Sequence, residues 1–182
     1  MPPAWMALHL GRACGVHQDH TLPGEVGRMK KYEFTGEVKA LGFTTLYRIK
    51  AVRSFAGIKV GDIGGWIEKE SNLSHHGNAW VCGDAWVCGD ARVYGNAQVC
   101  GDAQVRGYAQ VCGNAQVYDD AWVCGNARVC GYAWVRRKQD ILVIGPIGSR
   151  DDYTTFYKSR HGISVKCGCF EGTINAFLDK VK

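Results

Sequence analysis

Residues 77–112 read GNAWVCGDAWVCGDARVYGNAQVCGDAQVRGYAQVC, which is one unit of six residues repeated six times. The unit continues to residue 136. Alanine lies two residues before each valine, and glycine lies two residues before each alanine except at Asp119. The valines recur at every sixth position, as Val81, Val87, Val93, Val99, Val105, Val111, Val117, Val123, Val129 and Val135.

A period of six residues excludes an amphipathic helix, because about 3.6 residues per turn would spread the valines around the helix. Alternation predicts instead a short strand with alanine and valine pointing inward, followed by a corner at the glycine. Three corners close a coil of three hexads, the spacing at which Asn78, Asn96 and Asn114 recur. Two weaker hexads at 65–76 place Ile67 and Leu73 in the alanine column. The array over 65–136 therefore predicts about four coils of a parallel β-helix.

The corners carry a second regularity, because Asp84, Asp102 and Asp120 also recur once per coil. Stacked asparagines can bond one another through their side chains, whereas stacked aspartates repel each other. We therefore expect an asparagine ladder at one corner and aspartates that point apart into water at another.

The small-x-aliphatic hexad resembles the hexapeptide repeat of left-handed β-helices, and the resemblance implies the left hand. Four tryptophans and several cysteines occupy the outward columns, where exposure to water would favour aggregation. We therefore expect side-by-side self-association, and the resemblance implies a homotrimer. The predicted interface residues are Trp80, Trp86, Trp122, Trp134, Tyr94 and Tyr118.

The nine cysteines are odd in number and accompany no signal peptide, so we interpret them as reduced thiols in a cytoplasmic protein. Disulfides joining Cys82 to Cys100 and Cys112 to Cys130 are conceivable on oxidation. The cysteines of the array are separated by one or two whole hexads, which does not suit a metal site, and we expect no metal and no cofactor.

The flanks complete an all-β protein. We expect residues 1–28 to be a disordered or upstream extension and 29–64 to form a β-rich cap on the open end of the solenoid. Residues 137–182 alternate as strands and end in a helix capped by Thr173 or Gly172, which predicts a small β-rich domain closed by one helix.

Three flanking stretches resemble a group of hexapeptide-repeat proteins from bacteriophages and prophages. They are GDIGGWIEKESNL at 61–73, GPIGSRDDYTTFY at 145–157 and ISVKCGCFEGTINAFLDKV at 163–181. The group has no settled activity, so the resemblance implies a setting, the cytoplasm of a host bacterium, rather than a set of catalytic residues.

We expect a non-enzymatic binding protein that sequesters a small anionic or nucleotide-derived ligand as an inhibitor of host defence. A guanidinium, hydroxyls and a helix N-terminus suit phosphate and ribose. The candidate ligand-binding residues are Arg150, Tyr153, Thr154, Thr155, Tyr157, Lys166 and Thr173.

Several alternatives stay open. A scaffold or a blocker of a host protein would use the solenoid alone, and an acyltransferase of the hexapeptide class would need a histidine base such as His75, His76 or His161. A thiol nucleophile at Cys167 or Cys169, just before the helix, is a further alternative. The net charge of +5 lines no single element, and no apolar run reaches the roughly 18 residues of a membrane span, so we expect no DNA and no membrane partner.

Overall fold

The computed structural model describes residues 30–147 and 151–181. It begins with three strands, β1 (Tyr32–Leu41), β2 (Thr44–Ala51) and β3 (Ile63–Ile67), and a short 3-10 helix at Glu70–Asn72. The predicted extension at 1–28 lies outside the described residues.

The hexads form the solenoid, and each contributes one strand of two residues. The strands are β4 (Trp80–Val81), β5 (Trp86–Val87), β6 (Arg92–Val93), β7 (Gln98–Val99), β8 (Gln104–Val105), β9 (Gln110–Val111), β10 (Gln116–Val117), β11 (Trp122–Val123), β12 (Arg128–Val129) and β13 (Trp134–Val135). The alanines and valines of the repeat are at most 1% exposed, which confirms that they fill the core. Because alanine and valine side chains are small, the three walls of a coil pack close together around a narrow core.

Strands three hexads apart in the sequence pair in parallel and build the three faces of the solenoid. One face has the order β3-β5-β8-β11, the second β4-β7-β10-β13 and the third β6-β9-β12. Pairs such as Val87 with Val105 and Val105 with Val123 lie in register. The predicted solenoid of about four coils is therefore confirmed.

The backbone conformation at the corners, and the closeness of the next coil, explain why glycine recurs in each hexad. Gly101 has φ +73°, and a Cβ built on it would lie 2.9 Å from the amide nitrogen of Asp119 in the next coil. Asp119 itself adopts φ 52° at the one position where the repeat lacks glycine. At the next corner position, Asn78 donates to Asn96 and Asn96 donates to Asn114, each over 3.1 Å, which confirms the predicted ladder.

The weak hexads stack differently from the prediction. Ile67 pairs with Val87 and Leu73 bridges to Val93, so both occupy the valine column rather than the alanine column. The partners in each pair are further apart in the sequence than one regular coil, because the corner between Leu73 and Val81 holds two extra residues. Asn72 is buried at this turn and donates to the carbonyls of Gly89 and Ala91.

The N-terminal strands form a cap that folds over two faces. β1 pairs antiparallel with β2 and β2 with β3, which extends the sheet of β5, β8 and β11. Leu46 packs with Trp66 and Trp86 in one buried cluster. The ring of Phe55 lies edge-on to Trp80, with 5.4 Å between the ring centroids.

The C-terminal part follows a 3-10 helix at Lys138–Asp140. It consists of the antiparallel strands β14 (Ile141–Ile147), β15 (Asp152–Ser159), β16 (Gly162–Cys167) and β17 (Phe170–Thr173) and the helix α1 (Ile174–Val181). The predicted closing helix is confirmed, and the amide of Ala176 donates to the Thr173 hydroxyl over 3.3 Å as a cap.

The C-terminal sheet closes the end of the solenoid with one of its faces. The amide of Arg128 donates to the hydroxyl of Thr155 over 3.0 Å, and Ala133 bridges to Ser159. On the opposite face, Phe177 of α1 contacts Phe156 and Phe170, with ring centroids 6.1 and 5.5 Å apart.

Four of the cysteines form disulfides, Cys82 with Cys100 and Cys112 with Cys130. The interpretation of these four as reduced thiols is therefore wrong. In-register stacking brings the Cα atoms of each pair to 4.6 Å, within the range that a disulfide spans. The two bonds join one coil to the coils before and after it.

Candidate ligand-binding site

An open groove lies where the β5-β8-β11 face of the solenoid meets the C-terminal sheet. Its volume is about 460 Å³. The solenoid contributes one wall and the segment that leads into β14 contributes the other. The lining residues are Trp122, Cys124, Gly125, Asn126, Lys138, Ile141, Leu142, Val143 and Tyr153.

Trp122 lines this groove, and two cations lie on its ring. The guanidinium carbon of Arg106 is 4.3 Å from the ring centroid, and the Lys138 Nζ is 5.0 Å from it. Arg106 reaches Trp122 from the corner one coil earlier, and Lys138 reaches it from the 3-10 helix after the last coil. The solenoid register therefore brings together residues that are far apart in the sequence.

The charge at the groove is not neutralised within the described part of the chain. There, Arg136 pairs with Asp119 and Arg137 with Asp140, whereas no carboxylate pairs with Arg106 or Lys138. The Nε1 of Trp122 is buried and has no hydrogen-bond partner among the same residues. Two cations without carboxylate partners beside one aromatic ring favour a ligand that combines an anionic group with a planar ring.

The predicted ligand-binding residues do not converge. Tyr153 lines the groove and is half-buried. Thr154 is buried on the α1 side of the sheet, where its hydroxyl bonds to the Cys167 sulfur over 3.1 Å. Arg150 lies outside the described residues.

Thr155 and Tyr157 face the solenoid rather than a ligand, so the expectation of an accessible hydroxyl face is wrong for both. Thr155 is fully buried and accepts the Arg128 amide. Burial, assisted by the negative charge of Glu171, raises the pKa of Tyr157 to about 12. Lys166 lies 3.7 Å from the Glu171 carboxylate, and Thr173 caps α1.

The predicted interface residues divide into three groups. Trp80 and Trp86 are 1% and 8% exposed because the chain's own cap covers them, so their expected exposure to water is wrong. Trp122 lies in the groove. Trp134 and Tyr94 are 39% and 38% exposed and Tyr118 is half-buried, so self-association through these residues stays a prediction.

The sequence analysis predicted Tyr153 as a ligand-binding residue and Trp122 as an interface residue, and it did not select Lys138 or Arg106. A usable signal was present for Arg106. It takes the place of cysteine in the corner column between Cys88 and Cys124, which lie one coil before and one coil after it, and this puts a cation beside the Trp122 coil.

Comparison with known proteins supports the fold and leaves the activity open. Residues 85–101 and 109–124 match a family model described as the YdcK beta solenoid repeat. Both stretches lie inside the array, so the match supports a repeat β-helix family and does not extend to the flanking segments. A comparison with curated proteins finds no match.

The described residues contain no helix that is long and apolar enough to cross a membrane. Within the same ranges, no three or more His, Cys, Asp or Glu residues come together in a way that could hold a metal ion.

Proposed function

We propose that this protein is a non-enzymatic binding module that holds a small nucleotide-like anion in the groove at Trp122. The observation that carries the proposal is the pair of cations, Arg106 and Lys138, placed within 5.0 Å of one ring and without a carboxylate partner in the described chain. Like charges held together in this way favour an anion between or beside them. The Trp122 ring and the Leu142 side chain supply apolar surface for a base.

The ligand class follows from the size and lining of the groove. A volume of about 460 Å³ falls within the range of small-molecule sites. Asn126 and Tyr153 add hydrogen-bonding groups at its wall, which suit a ribose or the polar edge of a base. We therefore expect a nucleotide or dinucleotide rather than an extended polymer.

An acyltransferase is less well supported by the positions of the histidines. The Nδ1 of His75 accepts the Lys31 amide over 3.1 Å, and its ring stacks on Tyr32 with centroids 4.3 Å apart. His161 is exposed in the hairpin turn, where its ring lies edge-on to Tyr132. Neither histidine is among the residues that line the groove.

The wider setting remains part of the proposal. The resemblance of the flanks to phage and prophage proteins supports an accessory role against host defence, in which the protein sequesters a nucleotide-derived signal in the cytoplasm of the host. A homotrimer, also implied by the resemblance, would multiply the number of sites per particle. The two disulfides make the cytoplasmic setting testable, because that compartment keeps most thiols reduced.

The test uses ADP as the charged probe and adenosine as its neutral counterpart, with binding measured by isothermal titration calorimetry. Lys138→Met and Arg106→Met should each weaken ADP binding by roughly tenfold to a hundredfold, because each removes one charged contact worth about 1.5–3 kcal/mol. Adenosine binding should change little. Lys158→Met is the matched control, since Lys158 is an exposed lysine of β15 outside the groove.

Native mass spectrometry of freshly purified protein complements the titration. An adduct of a few hundred daltons that Lys138→Met loses would support the proposal and give the mass of the natural ligand. Equal binding of ADP by Lys138→Met and Lys158→Met would overturn it. No binding of ADP, together with no adduct after incubation in cell extract, would overturn it in favour of a scaffold.

A further inference from the structure

The edges of the sheets differ in how they are protected against pairing with another chain. β1, the edge strand of the N-terminal cap, carries Glu33, Glu37 and Lys39. Its pairing with β2 is interrupted by a register shift between Phe34 and Val38. Charged side chains and bulges of this kind discourage edge-to-edge association.

β14 has no charged side chain, and its interruptions, a register shift between Ile144 and Ile147 and Pro146, are confined to its C-terminal half. It spans Ile141–Ile147 with the sequence ILVIGPI, which has no polar or charged side chain. It is the terminal strand of its sheet, paired with β15 on one edge and with no described strand on the other. Leu142, Ile144 and Ile147 are 57%, 41% and 50% exposed. Alternate main-chain groups of an edge strand point away from its sheet, where they are available to a partner strand.

The opposite edge of the same sheet does not share these properties. β17 has four residues, and its Glu171 lies 3.7 Å from the Lys166 ammonium of β16. The chain passes directly from β17 into α1, which packs across that side of the sheet. Within the described residues, β14 is therefore the long, apolar and uncovered edge of the C-terminal sheet.

We propose that β14 pairs edge to edge with β14 of a second copy of this chain, antiparallel about a two-fold axis. The charges that flank the strand favour this direction. Residues 136–140 read Arg-Arg-Lys-Gln-Asp before it, with a net charge of +2, and residues 150–152 read Arg-Asp-Asp after it, with a net charge of −1. Arg136 and Arg137 already pair with Asp119 and Asp140, so Lys138 is the cation that remains available at this end. An antiparallel pair places the basic end of each strand beside the acidic end of the other, whereas a parallel pair would align like charges.

The side chains restrict the register of this pair. Pro146 has no amide hydrogen to donate, so the hydrogen-bonded segment is Ile141–Ile144. Leu142 and Ile144 lie on the same face of the sheet, because alternate residues of a strand share a face. Placing Leu142 of each copy opposite Ile144 of the other keeps the apolar faces of both sheets on one side and buries these side chains together.

This interface makes the second copy a neighbour of the binding groove. Leu142 and Val143 form part of the groove wall, so a partner strand beside β14 would narrow the opening of each site. The inference rests on the strand edge and not on the identity of the ligand. It is an alternative to the homotrimer that the resemblance implies, which would form through the solenoid faces and needs Trp134 and Tyr94 rather than β14.

The test is the mass of the full chain by sedimentation equilibrium over a concentration series. The chain has a mass of 20.0 kDa, so the two-fold pair is twice that mass. Ile144→Lys should give the monomer, since a lysine on the edge cannot be buried against its partner. Ile163→Lys is the matched control, because Ile163 is 53% exposed but lies on an inner strand of the same sheet, and it should remain a dimer.

Hydrogen exchange gives a second measurement on the same proteins. Main-chain amides in 141–144 should exchange more slowly in the wild type than in Ile144→Lys, while those of the solenoid stay equal, which also shows that the variant is folded. A wild-type monomer, a trimer, or a dimer that survives Ile144→Lys would overturn the proposal. Equal dissociation of Ile144→Lys and Ile163→Lys would overturn it as well.

Discussion

Lys31 is a fully buried lysine beneath the N-terminal cap. Its Nζ donates to the carbonyl oxygen of Ala79 over 2.6 Å and lies 5.2 Å from the Phe55 ring centroid. Burial, and secondarily repulsion from the Arg53 guanidinium, lowers the pKa of Lys31 from 10.5 to about 8. The folded state therefore disfavours the charged lysine, and stability should depend on pH above neutrality.

The direction and size of this dependence follow from the two pKa values. Below about pH 8 the lysine is charged in both the folded and the unfolded chain, and folding carries the full cost of burying the charge. Between pH 8 and 10.5 the unfolded chain binds more protons than the folded chain, so the free energy of unfolding rises with pH. The gain between about pH 8 and about pH 10 amounts to about 2 kcal/mol.

The measurement is urea unfolding followed by tryptophan fluorescence at several pH values from neutrality to about pH 10. Lys31→Met keeps the length of the side chain and removes the charge, so the free energy of unfolding of the wild type should rise by about 2 kcal/mol relative to this variant across the range. Other titrating groups, including the Cys88 thiol whose pKa burial raises, are common to both proteins. Lys30→Met is the control, since Lys30 is 61% exposed and pairs with Glu70. A difference between wild type and Lys31→Met that stays constant or falls with pH would refute the reasoning.

Two further predictions concern the solenoid. Gly101→Ala should lose more stability than Gly125→Ala, because both glycines have positive φ but only at Gly101 would a new Cβ contact the next coil, at 2.9 Å. We expect a loss of about 1–2 kcal/mol from the backbone conformation in both variants and a further loss in Gly101→Ala alone, measured by chemical unfolding. Equal losses in the two variants would contradict the stacking argument. Cys100→Ser should lower the free energy of unfolding by about 3 kcal/mol under oxidising conditions, because it opens a cross-linked loop. Cys124→Ser is the control at an exposed thiol outside the disulfides, and it should change stability by less than about 0.5 kcal/mol. No difference between the two variants, or no loss of stability when the wild type is reduced, would show that the Cys82–Cys100 bond does not hold these coils together.

The sequence predicted the parts of this molecule that repeat. A strict period of six gave the inward valines, the coil of three hexads and the Asn78–Asn96–Asn114 ladder, because identical units can satisfy one another only by stacking in register. The handedness came from the resemblance alone. The prediction placed the weak hexads at 65–76 in the wrong column. Two extra residues before Val81 put Ile67 in the valine column instead of the alanine column.

The candidate site was harder to predict because it combines one regular column with an irregular segment. Periodicity places Trp122 on a face, but it gives no information on where the chain goes after residue 136. Thr155 and Tyr157 carry the same hydroxyls that a ligand site would use, and only the way the sheet closes the solenoid end shows that they are buried. The same closure brings Lys138 to Trp122.

Departures from the repeat therefore indicate where to look for function in a chain of this kind. Asp119 replaces glycine, and its carboxylate holds the Arg136 side chain over 2.7 Å where the chain leaves the last coil. Arg106 replaces cysteine and supplies one of the two cations that lie on the Trp122 ring. Each departure adds a charge at the boundary between the solenoid and the C-terminal sheet, whereas the regular positions build a core that needs no charge. Arg106 and Lys138 each stabilise the packing of neighbouring segments through a cation–π contact with Trp122, and because neither pairs with a carboxylate in the described chain, both charges also stay available to an anionic ligand.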